Sequence, residues 1–261
     1  MRLSTWTGAQ RATLGQGPSG GGVKRPSWPD RFLTRKCGRH EAADIVALAD
    51  DLSEQGVRWS WTARACKRGI DIAGALGGLL LLLPVLIVIA LLIKATSRGP
   101  VFFRSPRVGR GGKPFSMLKF RTMYADRGDP TGVKHTVAND PRVTPLGAVL
   151  RQRSLDELPQ LLNVLLGDMS LVGPRAHPVG MQVNGALYEN AVPAYPLRHL
   201  VRPGMTGLAQ LAGFRGAVTD QAHATRRVVC DLAYIRHFSL SLDLVILVVT
   251  AAREFWAGSG S

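Results

Sequence analysis

The chain contains 261 residues, enough for one sizeable domain or two small ones, and 46% of them are apolar, as in an ordinary folded protein. Its formal net charge of +15 indicates a polyanionic partner, such as nucleic acid, anionic lipid or a phosphorylated substrate. The six histidines are scattered without the spacings of a transition-metal site, which argues against a histidine-rich metal cluster. Magnesium prefers oxygen ligands and stays compatible with this composition.

The N-terminal part divides into two predicted segments. Residues 1–40 are polar and basic and lack the apolar core of a secretory signal, so a disordered basic tail is predicted. Residues 41–63 are predicted to form a short helical extension, because apolar residues recur on one helical face and Gly56 follows as a stop signal. Those apolar residues are Ile45, Leu48 and Leu52.

A membrane segment is predicted next. Residues 72–93 form a run of 22 residues without a charge, which is long enough to enter or cross a bilayer. Pro84 lies near the middle, where it removes a helical hydrogen bond and kinks the chain. Basic clusters flank both ends, so the positive-inside rule gives no clear orientation. For residues 64–98 two interpretations stay open at this point: a kinked spanning helix, and a re-entrant helix that enters and leaves through one leaflet.

The remaining sequence, residues 99–254, is predicted to form a single domain that is α/β mixed and mainly helical. Short strands at 101–103 and 115–120, separated by a glycine-rich turn, predict a β-hairpin near the membrane. Residues 240–252 are mostly apolar but too few to span a bilayer, so they are expected to dock on the core or lie at the membrane interface. Residues 255–261 are expected to form a flexible C-terminus.

Two adjacent carboxylates, Asp156 and Glu157, follow a basic stretch at residues 151–153. Ser154 and Glu157 have the spacing of a capping box before an apolar helix, so one interpretation is that Glu157 closes on its own helix cap. The other is that a carboxylate fixed at a helix start and surrounded by arginines binds Mg²⁺ and attacks a phosphoryl group. The two are compatible, because a cap also fixes the first helical turn.

Three other strings place basic residues in or beside short turns. They are KFRTM at 119–123, GPR at 173–175 and RPGMTG at 202–207. Arginine forks bind phosphate oxygens through paired hydrogen bonds, and glycine turns let backbone N–H groups approach a ligand. For any single string, the alternative is a solvated basic loop or a lipid-facing charge.

In their order along the chain, these strings resemble the bacterial sugar transferase family, the monotopic polyprenyl-phosphate phosphoglycosyl transferases. The resemblance covers residues from about 64 to 254 and rests on six ordered groups of motifs. They are KRGID at 67–71, RVG at 107–109 with KFRTM, NDPRVT at 139–144, LDELPQ at 155–160, GDMSLVGPR at 167–175 and PGMTGLAQ at 203–210. Six motifs in this order favour the functional interpretation of each string over the solvated loop.

The resemblance implies a covalent two-step transfer of a sugar 1-phosphate from a UDP-sugar to polyprenyl (undecaprenyl) phosphate, with release of UMP. By position, Asp156 would be the nucleophile, Glu157 would support it as the second catalytic carboxylate, and Mg²⁺ would bind at Asp156. Phosphate or nucleotide binding is implied for Lys119, Arg121, Arg151 and Arg175. The product would initiate exopolysaccharide or glycoconjugate synthesis. The implied roles of these residues concern the phosphates and do not specify the sugar.

The resemblance also implies a re-entrant helix broken at Pro84, under a catalytic domain that faces the cytoplasm at the bacterial inner membrane. Some members have serine before this proline, whereas this chain has Leu83, so the bend would rest on Pro84 and packing. A second departure is Ala176, where the family usually has proline. Larger members carry four further spanning helices, and residues 1–66 contain no such segment, which predicts the short form. Membrane lipids are implied partners; a second copy of the chain and downstream glycosyltransferases are further candidates.

Two other functions compete with this interpretation. A membrane-anchored nucleic-acid-binding protein would use the positive charge, but aromatic residues are only 7% and are not interleaved with the basic strings, so no nucleic-acid partner is predicted. A Mg²⁺-dependent nucleotide-sugar hydrolase would use the same phosphate site and pass the group to water. The membrane segment argues against the hydrolase, since neither a soluble donor nor water requires a bilayer.

Overall fold

The computed structural model describes residues 42–257 apart from 129–136, 138–139, 215, 217 and 219. The predicted disordered tail and most of the predicted flexible C-terminus lie outside these residues. The described helices are α1 (Ala42–Gln55), α2 (Trp61–Thr96), α3 (Pro145–Gln152), α4 (Gln160–Leu166), α5 (Tyr188–Ala191), α6 (Leu208–Leu211), α7 (Gln221–Arg236) and α8 (Leu240–Ala257). Short 3₁₀-helices occupy Arg110–Gly112, Leu155–Glu157 and Tyr195–Leu200. This part of the chain is mainly helical, as predicted.

The strands of the described residues form three two-stranded sheets. They are β1 (Phe102–Val108), β2 (Pro114–Phe120), β3 (Ser170–Val172), β4 (Gln182–Val183), β5 (Ala186–Leu187) and β6 (Gly204–Thr206). The predicted hairpin is confirmed as antiparallel β1 and β2, although its first strand is longer than the predicted three residues. A parallel pairing of β3 with β6 brings the GPR and PGMTG strings side by side. Gly204 permits this approach, because an added Cβ would lie 2.1 Å from the backbone nitrogen of Gly173.

The main hydrophobic core lies between α1, α7, α8 and the loops around β3 and β6. The predicted helix at the N-terminal side is confirmed: α1 buries Ile45 and Leu52 in this core, and Gly56 follows with a φ of 62°. That left-handed conformation suits glycine and ends the helix. Trp59, in the connection to α2, donates a hydrogen bond from Nε1 to the carbonyl oxygen of Ile235 at 2.9 Å. The extension therefore packs on the domain.

Helix α2 is the long apolar element. It runs 36 residues with Pro84 inside it, and only 11% of its most apolar stretch is buried. Among the described residues it is the one helix long and apolar enough to cross a membrane. Leu80 and Leu81 are 65% and 80% exposed, so the protein itself does not cover this surface. Such a helix fits membrane association.

The first turns of α2 are bound to the domain by polar side chains. Lys67 Nζ donates to Asp243 Oδ2 at 2.6 Å and to the Val172 carbonyl at 3.0 Å. Asp71 Oδ1 accepts hydrogen bonds from the hydroxyl of Ser170 and the backbone N–H of Leu171, each at 2.9 Å. Lys67 is buried and ion-paired, and Asp71 is buried and hydrogen-bonded, so each buried charge has the partners that it needs. The KRGID motif therefore joins the apolar helix to β3.

Candidate active site

The Asp156–Glu157 pair lies on a short turn between α3 and α4. Helix α3 starts at a strong cap, since Thr144 Oγ1 accepts a hydrogen bond from Gly147 N at 2.9 Å and Pro145 occupies the first helical position. The chain then leaves the helix through Ser154, which has a φ of 52°. A non-glycine residue in this left-handed region is strained, and such strain concentrates at functional sites. The turn therefore presents two consecutive carboxylates.

The capping-box interpretation of Glu157 is wrong. Ser154 makes no side-chain capping hydrogen bond, and α4 begins only at Gln160. Glu157 instead points to two cations from distant parts of the chain. Its Oε1 accepts from Lys119 Nζ at 2.7 Å and from Arg175 Nη2 at 2.5 Å, while Oε2 accepts from Arg175 Nη1 at 3.1 Å. The local spacing matched a cap, but two charged partners bind a carboxylate more strongly than a backbone N–H does.

These contacts decide the charge of Glu157. Burial alone would raise the pKa of its carboxyl, but Arg175 and Lys119 together hold that pKa well below the ordinary value. The side chain of Glu157 is therefore ionised at neutral pH and has both oxygens occupied. It orients Lys119 and Arg175 and is poorly placed to act as a nucleophile.

Asp156 has the opposite environment. Its side chain is 10% exposed and lies 3.6 Å from Lys119 Nζ, and none of the described residues donates a hydrogen bond to it. Burial raises the pKa of the Asp156 carboxyl, the Lys119 ammonium opposes this rise, and the Glu157 carboxylate adds to it. A carboxylate that is desolvated and has unoccupied lone pairs is more nucleophilic than a solvated one. Adjacent groups with pKa values moved apart are typical of catalytic pairs.

Further cations surround the pair. Arg151, on α3, lowers the pKa of Asp156 through its charge. Arg107, on β1, was part of a recognised motif but not among the predicted site residues. Burial and the nearby Arg175 lower the pKa of its guanidinium, Glu157 opposes them, and the resulting pKa is about 10. Its side chain donates to the hydroxyl of Ser105. The site thus combines two carboxylates with four cations, an excess of positive charge that suits a diphosphate.

The structure brings five of the six predicted site residues together and places Arg121 elsewhere. Its guanidinium donates to the carbonyl and hydroxyl oxygens of Ser97, both at 2.8 Å, at the end of α2. No direct contact joins it to Asp156 or Glu157. Phosphate binding by Lys119, Arg151, Arg175 and Arg121 stays a prediction. For Arg121, the neighbouring groups are those at the end of α2 and not the carboxylate pair.

Two buried groups that support the site could not be found from motifs. Arg198 forms an ion pair with Asp231 at 2.7 Å, with both side chains almost fully buried, and donates to the Arg175 carbonyl at 2.8 Å. Asn163 accepts from Leu118 N at 2.9 Å and donates to the Ser116 carbonyl at 2.8 Å, so it fixes β2 against α4. Arg198 therefore positions the backbone of Arg175, and Asn163 positions the strand that carries Lys119.

The residues fit Mg²⁺ only in a particular arrangement. Within the described part of the chain, no three side chains of His, Cys, Asp or Glu are grouped as a metal site. Mg²⁺ commonly takes one or two carboxylates and completes its shell with water and substrate phosphate oxygens. Asp156 has unoccupied lone pairs, whereas both oxygens of Glu157 are taken by cations. The donor set therefore suits a magnesium ion that arrives with a phosphorylated substrate.

Comparisons with known proteins give the family. The sequence model described as bacterial sugar transferase matches residues 62–257, which contain α2 except its first residue, and the whole site. The exopolysaccharide production protein PSS of Rhizobium leguminosarum bv. phaseoli is 50% identical over 194 residues, which are 74% of this chain and 97% of that protein.

Two larger relatives match over the same region. The undecaprenyl-phosphate glucose phosphotransferase of Komagataeibacter xylinus is 46% identical over 73% of this chain and 36% of its own length. The UDP-glucose:undecaprenyl-phosphate glucose-1-phosphate transferase of Escherichia coli (strain K12) is 46% identical over 74% of this chain and 40% of its own length. This chain thus spans less than half of these two proteins. Because the family match covers most of its length, the chain belongs to the bacterial sugar transferase family and is an enzyme of that family.

Proposed function

We propose that this enzyme transfers a sugar 1-phosphate from a UDP-sugar to undecaprenyl phosphate through a phosphosugar-aspartyl intermediate on Asp156. The observation that carries the proposal is the contrast within the carboxylate pair. Glu157 has both oxygens bound by cations, whereas Asp156 is buried and accepts no hydrogen bond from the described residues. The names of the relatives from Komagataeibacter xylinus and Escherichia coli support undecaprenyl phosphate as the acceptor and UDP-glucose as the first donor to test.

The first step forms the covalent intermediate. A carboxylate oxygen of Asp156 attacks the phosphorus that carries the sugar, and an oxygen–phosphorus bond forms. The bridging bond of the diphosphate breaks, and UMP leaves with that electron pair. Lys119 and Arg175 would neutralise the phosphoryl oxygens, and Glu157, which binds both cations, would keep them oriented without competing for the phosphorus.

The second step regenerates Asp156. A phosphate oxygen of undecaprenyl phosphate attacks the same phosphorus, and the bond to the aspartyl oxygen breaks, which gives a lipid-linked diphosphate sugar. We include Mg²⁺ as a cofactor; it would bind Asp156 and phosphate oxygens and would supply charge neutralisation for the departing UMP. A product of this kind initiates polysaccharide or glycoconjugate assembly.

We further propose that α2 is re-entrant, with both ends at the cytoplasmic face of the inner membrane. Buried positions occur in its first half, at Lys67, Asp71 and Ala75, and again in its second half, at Ile89 and Ile93. Lys67 and Asp71 are hydrogen-bonded to the catalytic part of the chain, and the three apolar residues pack on the same part. Because one polar domain contacts both halves of the helix, a topology that leaves the two ends on one side of the bilayer is favoured.

The middle of α2 supports the same topology. The large apolar side chains from Leu80 to Val88 are mostly exposed, and Pro84 lies among them. An apex at this proline would place the exposed part in the hydrocarbon and return both basic flanks to the headgroups. Single cysteines placed near each end should react with an impermeant thiol reagent only from the cytoplasmic side. Reaction of one end from outside would overturn the re-entrant topology.

The experiment for the reaction measures UMP release. Purified enzyme in nanodiscs is incubated with Mg²⁺, undecaprenyl phosphate and a panel of UDP-sugars that begins with UDP-glucose. We expect repeated turnover, measured as continued UMP release, to require the lipid acceptor and one sugar, and at most one equivalent of UMP per enzyme without acceptor. UMP released at the full rate without acceptor would favour the nucleotide-sugar hydrolase, and silence across the panel would overturn the proposed donor class.

A further inference from the structure

The KFRTM string connects three separate parts of the molecule. Lys119 reaches the catalytic pair, with its ammonium 2.7 Å from Glu157 Oε1. Two residues later, Arg121 reaches the end of α2. The carbonyl of Thr122 then accepts a hydrogen bond from Thr144 N at 3.0 Å, at the cap of α3. Five consecutive residues thus lie between the membrane helix, the active site and the helix that leads into the catalytic turn.

Arg121 closes the C-terminal end of α2. Its Nη2 donates to Ser97 O and Ser97 Oγ at 2.8 Å and approaches the Ile93 carbonyl at 3.4 Å. These are terminal groups of the helix, and a cation there satisfies carbonyls that lack an intrahelical partner. The residue is only 6% exposed. Its backbone N–H also donates to the Val101 carbonyl at 2.9 Å, so Arg121 is fixed at both its main chain and its side chain.

The chain makes room for this side chain at Gly99. That residue has a φ of 119°, a conformation that side chains with a Cβ rarely adopt. A Cβ built there would lie 2.2 Å from Arg121 Nη1. The glycine therefore allows the guanidinium to pack directly against the backbone just beyond α2.

A small second core lies beside this junction. Phe120 is 2% exposed and packs with Ile89 and Ile93 of α2 and with Leu150 of α3. Leu155, the residue before Asp156, packs on the same cluster. The cluster therefore joins the half of α2 that follows Pro84 to the strand that carries Lys119 and to the turn that carries the nucleophile.

We propose that Arg121 is a positioning residue that fixes β2 to the end of the membrane helix and thereby holds Lys119 against the Asp156–Glu157 pair. The proposal rests on the transferase reaction described above, and it assigns Arg121 a role other than phosphate binding. Its Nη2 is bound to the helix terminus, while Nε and Nη1 are buried without a hydrogen-bond partner among the described residues. Its effect reaches the chemistry through Lys119. A small displacement of a charged group in a site of this kind is enough to slow the chemical step by ~10-fold or more.

The test is a double-mutant cycle measured with UMP release in nanodiscs. Arg121→Lys keeps the charge and removes the fork, and Ser97→Ala removes one acceptor while it leaves the helix intact. We expect Arg121→Lys to lower kcat by ~10-fold with KM for donor and acceptor unchanged, and Ser97→Ala to lower it less. In a Lys119→Met background, which lowers kcat by itself, the further effect of Arg121→Lys should fall below ~2-fold, because the group that it positions is gone. Arg104→Lys, on the exposed side of the hairpin, is the matched control and should change nothing.

Three results would overturn the proposal. Additive effects of Arg121→Lys and Lys119→Met would mean that Arg121 does not act through Lys119. A selective rise in KM for donor or acceptor would identify Arg121 as a phosphate ligand. A loss of activity that only matches the loss of folded enzyme, measured by thermal unfolding, would mean that Arg121 contributes to stability and does not position Lys119. If the parent enzyme releases no UMP with any donor, the proposed function fails first, and that outcome is distinct from all three.

Discussion

The two adjacent carboxylates are expected to respond to neutralisation in opposite ways. Glu157→Gln replaces three charge-assisted hydrogen bonds, one from Lys119 and two from Arg175, by weaker ones. Each exchange costs about 1 kcal/mol, since such bonds contribute roughly 1.5–3 kcal/mol and neutral ones roughly 0.5–1.5 kcal/mol. The side chain of Arg175 is 36% exposed, so solvent screening reduces the total to about 2 kcal/mol. For a protein of this size, the melting temperature should fall by about 4–8 °C.

Asp156→Asn removes a buried charge that has one distant ionic partner and no hydrogen bond from the described residues. Because burial raises the pKa of Asp156, its ionised form destabilises the fold at neutral pH. The free energy of unfolding of Asp156→Asn should therefore be equal to that of the parent or higher. Its transfer rate should nevertheless fall by at least ~10³-fold, as for removal of a nucleophile.

Thermal unfolding in detergent, paired with UMP release, measures both effects. Asp126→Asn is the matched control, because it neutralises a carboxylate that is 74% exposed in a surface ion pair, and it should change neither quantity measurably. A marked loss of stability in Asp156→Asn, with Glu157→Gln neutral, would refute the assignment of Asp156 as the available carboxylate and of Glu157 as the structural one.

Three further outcomes are expected. The depressed pKa of Glu157 contributes stability that is fully present above its unfolded-state value of 4.5 and is lost as the pH falls below it, so Glu157→Gln should flatten the acid limb of the stability curve in pH-dependent unfolding. Asp231→Asn leaves the Arg198 guanidinium as an uncompensated buried charge and should reduce the free energy of unfolding by about 3–5 kcal/mol, whereas a cost near zero would contradict the pairing. Gly99→Ala should cost about 1–3 kcal/mol through backbone strain, with a larger loss of activity than of folded protein; a wild-type melting temperature would contradict it.

Much of the fold follows from local signals in the sequence. The apolar face that ends at Gly56 predicts α1, the glycine-rich turn predicts the β1–β2 hairpin, and the uncharged run predicts the apolar part of α2. These elements depend on periodicity, on turn chemistry and on length, all of which can be read from a few neighbouring residues. The family motifs also indicated correctly that the chain is a bacterial sugar transferase.

Other features depend on contacts that are distant in sequence. Glu157 prefers Lys119 and Arg175, which are 38 and 18 residues away, to the cap that its local spacing favoured. Arg121 has the same charge as Lys119 and lies only two residues from it, yet its guanidinium binds the end of α2. The buried pair that Arg198 forms carried no motif at all. The partner of each charged group depends on which charged groups are buried together in the fold, and no local sequence pattern contains that information.

The most direct test of the central claim is the mass of the enzyme during turnover. The protein is mixed with UDP-glucose and Mg²⁺ without lipid acceptor and is then analysed intact and after proteolysis. We predict a mass increase equal to one sugar phosphate, located on Asp156, absent from Asp156→Asn and removed by undecaprenyl phosphate. Transfer to lipid by an enzyme that never carries this adduct, or an adduct on another residue, would contradict the mechanism.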